Sequence, residues 1–198
     1  METGMSNDAF ASYLKRLWDD LVYAGYSQHI WWVFRNAEDA PIWVDTLNHA
    51  KAFFAPTIRA HLVVLIVTLH NIFDGKPGTV SLPQALKLAE KLSRLDTQVI
   101  AAARARLDAC RRITAGVRLL RHNVFAHRNE KLSVDDAFAK AGLTPDDLRS
   151  IIDLGMSVLN DLSQAHERVT YEHTLDDADR DTRGVLKALV DLHDRERH

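Results

Sequence analysis

A chain of 198 residues is the size of one domain, and with 46% hydrophobic and 26% charged residues it can fill a core, which excludes wholesale disorder. The formal net charge of −2 excludes a surface coated with positive charge for duplex DNA, though not a local basic site. A single cysteine, Cys110, excludes a disulfide framework or a cysteine zinc site within a monomer and fits a reducing cytoplasm.

The first twenty residues carry Glu2, Asp8, Lys15, Arg16, Asp19 and Asp20 without a continuous apolar core, so no secretory leader is expected. From Asn7 to Arg35, apolar residues such as Phe10, Leu14, Leu17, Trp18 and Leu21 recur at spacings of three and four, the mark of a helix. Gly25 is the position expected to interrupt it. All four tryptophans, Trp18, Trp31, Trp32 and Trp43, fall in the first 43 residues, where core or interface packing explains them. Residues 1–40 therefore read as an N-terminal helical arm on a core of about 41–170, with 171–198 as a C-terminal helix, all in one domain.

A second helical region runs from Pro41 to Phe73, with Pro56 expected to kink or restart it because proline lacks a backbone donor. Its apolar run from Leu62 to Leu69 is far shorter than the roughly 18 residues of a spanning helix. A buried helix is expected there, and no membrane association. Asp74 to Gly78 is a turn cluster, after which Ser81 can cap a helix reaching about Leu92. A long helix is expected from Leu95 to Leu120. Ser133 caps a short one ending at Gly142, and Thr144-Pro145-Asp146-Asp147 starts another, reaching about Arg168. The last helix spans about Asp177 to Arg195. The chain contains no Gly-rich phosphate loop, no GxSxG elbow and no HExxH pair. The expected fold is all-α, an antiparallel up-and-down bundle of five to seven helices.

Between Arg104 and Lys131, eight basic residues (Arg104, Arg106, Arg111, Arg112, Arg118, Arg121, Arg128 and Lys131) face two acids, Asp108 and Glu130. On one continuous helix Arg104, Arg111 and Arg118 would form a stripe, while Arg121 would project among apolar residues. An arginine there needs an ion partner, a subunit interface or a solvated cleft. The same residues also fit a structural role, as dipole-complementing cations near a helix C-terminus and as a solvated face with scattered ion pairs. His122 and His127 are five apart, which is not the i, i+4 pair of a helical metal site, and the remaining histidines are scattered. No metal and no cofactor are expected. Cys110 falls on the apolar face, as an inert packing residue does.

Arg121-His122-Asn123-Val124-Phe125-Ala126-His127 resembles the signature of the HEPN superfamily, an Arg separated from a His by four to six residues. Together with Leu69-His-Asn-Ile-Phe-Asp74 and Thr79-Val-Ser-Leu82, the chain is similar to the abortive-infection U-type branch of that superfamily over roughly Lys51 to Ser163. The resemblance implies a homodimeric, metal-independent endoribonuclease whose two Arg-His elements meet across the interface and cleave single-stranded RNA through the ribose 2′-OH. By that carry-over Arg121 holds the scissile phosphate and His127 is the acid–base group, with Asn123 and His122 in support. Arg104, Arg111, Arg118, Arg128 and Lys131 are then candidates for the RNA backbone. A toxin or phage-defence role, with a possible antitoxin or regulatory partner, follows from the same resemblance. In one toxin branch a Tyr two positions after the His is modified by the antitoxin. Asn129 stands there in this chain, which argues against that form of control. The competing expectation is a non-catalytic HEPN-like module that binds RNA or protein.

Overall fold

The computed structural model describes residues 7–92, 95–122, 133–172 and 174–196. Among them lie nine helices and no strand: α1 (Asn7–Arg35), α2 (Ala40–His49), α3 (Lys51–Ile72), α4 (Leu82–Ala89), α5 (Thr97–Ala109), α6 (Arg111–Leu120), α7 (Val134–Ala141), α8 (Pro145–Glu167) and α9 (Asp176–Glu196). Three of the helix starts, those of α4, α7 and α8, are the ones the sequence marks chemically. Ser81 accepts from the Gln84 N–H, and Ser133 and Thr144 each form a reciprocal capping box with the Asp three residues on. Gly142 ends α7 at φ 62°, a left-handed conformation that glycine adopts without Cβ strain.

The stretch expected as an appended arm is a central member of the bundle. Phe10, Leu14, Leu17 and Leu21 on α1 are fully buried, because the helix packs along α3 and α8 and also meets α4 and α9. The Phe10 ring meets His166 edge-on at 5.0 Å, and further along Leu21 packs over Gly155, so α1 and α8 run antiparallel. Gly25 does not interrupt α1. Its missing side chain makes room for Leu175, which would lie 2.3 Å from a Cβ at that position. Trp18, Trp31 and Trp43 are buried, Trp31 stacking on Phe138 of α7.

Two expected helices are each split. The region from Pro41 to Phe73 breaks at Ala50, six residues before the proline, and α3 carries Pro56 inside a continuous helix. The expected long helix from Leu95 breaks at Cys110 (φ −89°, ψ 10°), where α5 stays against α8 and α4 while α6 turns onto α3 and α7. These breaks account for nine helices where five to seven were expected. By length and composition α3 is apolar enough to cross a membrane, with mean hydropathy 1.8 in its most apolar window, of which 28% is buried. Leu62, Leu65, Ile66 and Leu69 face the core, while Val64 is exposed.

Candidate active site

Three polar ties hold the turn after α3 in place. The Lys76 N–H donates to Asp74 Oδ1 at 3.2 Å, the Thr79 hydroxyl donates to the Lys76 carbonyl at 2.7 Å, and Gln84 Nε2 donates to the Gly75 carbonyl at 2.6 Å. From α1, the buried-side Tyr13 hydroxyl accepts from the Ser81 N–H at 2.8 Å and lies 3.0 Å from the Thr79 carbonyl. The turn is thereby fixed to α1 and α4, and its outer edge faces α6.

Between this turn and α6 opens a cleft of about 1260 Å³. His70, Asp74 and Lys76 line one wall, and Arg111, Thr114, Arg118, Arg121 and His122 the other. Val67, Leu69, Val117 and Ile151 supply apolar lining. Leu120 and Val117 anchor α6 in the core at 2% exposure each, while Arg121 and His122, continuing the helix in a wider π-type turn, are exposed. In the single chain Arg121 lies at a solvated cleft.

The other arginines of the basic segment divide clearly. Arg104 pairs with Glu90 at 2.5 Å, Arg111 with Asp108 at 2.7 Å, Arg106 with Asp161 and Arg112 with Asp147. Arg106 and Arg112 thereby tie α5 and α6 to α8. All four are engaged in ion pairs, and Arg111 also lines the cleft. Arg118 and Arg121 have no carboxylate partner among the described residues, and both line the cleft. Because of the break at Cys110, Arg104 is not on one continuous stripe with Arg111 and Arg118, and it does not line the cleft. Asn123, His127, Arg128 and Lys131 lie outside the described residues.

The site also holds groups that spacing did not single out. His70 Nε2 lies 4.0 Å from Asp74 Oδ2, with the two side chains 13% and 18% exposed. Burial pushes the His70 imidazole below its ordinary pKa, and Arg121, Lys76 and Arg118 push the same way against Asp74. In the sequence the two stand four apart at a helix end, inside the Leu69-to-Asp74 segment that carries part of the resemblance. Among the described residues no group of three His, Cys, Asp or Glu side chains could hold a metal ion. Cys110 is buried, its thiol pushed up by burial and donating to the Leu107 carbonyl at 3.1 Å, an unreactive setting.

A family model, the HEPN-type AbiU2 family, matches residues 7–184, so the match reaches well beyond Lys51 to Ser163 and takes in α1. No curated protein and no solved structure matches the chain. With a match over that span, carried on an all-helical bundle, the chain belongs to the AbiU2 family, an abortive-infection branch of the HEPN superfamily.

Proposed function

We propose that this protein is a metal-independent endoribonuclease that cleaves single-stranded RNA through the 2′-OH, at a site completed by a second copy of the chain. The observation that supports it best is the cleft itself. Arg118 and Arg121, without a described carboxylate partner, face His70, Asp74 and Lys76 across a space large enough for a nucleotide strand. A guanidinium fork matches two phosphate oxygens and stabilises the charge that builds on them in the transition state.

In this reading Arg121 holds the scissile phosphate and His127 acts as acid–base group, an imidazole being suited to proton transfer near neutral pH. His122 and Asn123 orient the phosphate or the imidazole. Arg111 and Arg118, with Arg128 and Lys131, track the RNA backbone. Attack by O2′ on phosphorus expels O5′ and leaves a 2′,3′-cyclic phosphate and a 5′-hydroxyl, so DNA is not cut. The biological role is that of a toxin or phage-defence effector acting in the cytoplasm, restrained by a partner.

The test is incubation of generic single-stranded RNA with the protein in EDTA. Wild type cleaves, whereas Arg121→Ala and His127→Ala fall by roughly 100-fold or more. Cleavage that survives both substitutions removes this mechanism. RNA binding without cleavage by any form favours a binding module instead.

A further inference from the structure

His70 closes α3 one turn before Asp74, and its imidazole is unusually placed for a helix-end histidine. A protonated His in the last turn stabilises a helix by complementing its dipole. That role needs the charged form. Here burial opposes charge, Arg121, Arg118 and Lys76 face the ring from α6 and the turn, and among the described side chains Asp74 is the one charge that favours protonation. Arg111 and His122 line the same cleft. A ring kept neutral at the edge of a cationic cleft, 13% exposed, is a poor ion-pair partner and a competent proton acceptor.

The geometry also biases the tautomer. Nε2 is turned toward the Asp74 carboxylate at 4.0 Å, beyond hydrogen-bond length but close enough to favour a proton on that nitrogen. Nδ1 is then the basic nitrogen. The ring and Arg121 belong to one chain and one cleft, so a phosphate on Arg121 is brought to the wall that carries His70.

We propose that His70 is a second acid–base group of the cleft, taking the proton of the attacking ribose 2′-OH while Asp74 sets its tautomer and Arg121 holds the phosphodiester. This rests on the ribonuclease reading above. The proton moves from O2′ to Nδ1, the O2′–P bond forms, and the P–O5′ bond breaks. O5′ takes its proton from the acid that reading supplies, and the His70 proton returns to water.

The test uses the full chain, a fluorogenic single-stranded RNA oligonucleotide and EDTA, with initial rates measured from acid to alkaline pH. His70→Asn loses roughly 100-fold or more and with it the acidic limb of the profile. Asp74→Asn removes the charge that favours protonated His70, so the acidic limb moves to lower pH. Lys76→Gln removes one that opposes it, so the limb moves to higher pH. A structural role for the pair does not give opposite shifts. If wild type cleaves, Arg121→Ala does not, and His70→Asn keeps both rate and limb, this proposal alone is overturned. Absence of cleavage by wild type overturns the ribonuclease reading and this proposal with it. Should His70→Asn fail to fold, as thermal melting would show, the two charge variants decide: limbs that stay put overturn it.

Discussion

Gly116 of α6 lies so close to Leu143 that a Cβ added to it would sit 2.6 Å from Leu143 Cγ and 2.9 Å from the Ala141 carbonyl oxygen. This contact sets how near α6 approaches the end of α7, and α6 is the helix that carries Arg118 and Arg121 to the cleft. The leucine side chain can shift, but the backbone oxygen is held in the turn that ends α7. Gly116→Ala is therefore expected to destabilise by about 1–3 kcal/mol despite the better helix propensity of alanine. Urea denaturation measures it; an unchanged or raised midpoint would show that the approach is looser than described.

The tie between Tyr13 and Ser81 makes a second prediction. Tyr13→Phe removes the acceptor of the Ser81 N–H and the donor to the Thr79 carbonyl, leaving both partly buried groups without that partner. The expected loss is about 1–3 kcal/mol. Because these bonds fix the turn that carries Asp74 and Lys76, amide exchange in residues 74–81 should also speed up relative to α8. A loss of stability without local loosening would place the effect elsewhere.

Arginine substitutions separate cleft residues from structural ones. In binding titrations with a single-stranded RNA, Arg118→Ala is expected to lower the magnitude of the slope of log K against log salt by about 0.7, the value for one phosphate contact. Arg104→Ala breaks the pair with Glu90 and should leave that slope where it was. Equal effects of the two would return the RNA path to the outer stripe that the sequence alone suggested.

The acid limit of stability has identifiable carriers. At Asp39, the bond from Arg183 outweighs burial and holds the carboxyl below its usual range. At Asp147, burial pushes upward but is outweighed by the Thr144 N–H and hydroxyl and by Arg112. Both pKa values are lower folded than unfolded, so the unfolded chain binds more protons as pH falls. The stabilisation is complete above the carboxylate range and is lost from roughly pH 5 downward. Asp147→Asn should therefore shrink the difference in denaturation midpoint between neutral and acid pH. An unchanged difference would mean that other carboxylates dominate.

The capped helices were legible because their signals are local: a Ser or Thr followed three residues later by Asp, a proline at the first turn, a glycine at the end. The breaks at Ala50 and Cys110 were not, since neither residue carries a turn signature and each break answers to which neighbours the flanking helices pack against. The same holds for α1. Its stripe announced a helix, but that it lies at the centre of the bundle depends on α3 and α8, far along the chain. Arg121 was visible through its motif and its odd position on the apolar side. His70 and Asp74 were visible within the Leu69-to-Asp74 segment of the resemblance, without a role; their place opposite Arg121 comes from tertiary packing of α3 against α6.

The most direct measurement of the central claim uses a DNA oligonucleotide carrying one internal ribonucleotide, incubated with the protein in EDTA, with product ends identified by mass spectrometry. The account predicts a single cut on the 3′ side of the ribose, giving a 2′,3′-cyclic phosphate and a 5′-hydroxyl, and no cut in the all-deoxy strand. Cutting of the all-deoxy strand, or products ending in 3′-hydroxyl and 5′-phosphate, would contradict it.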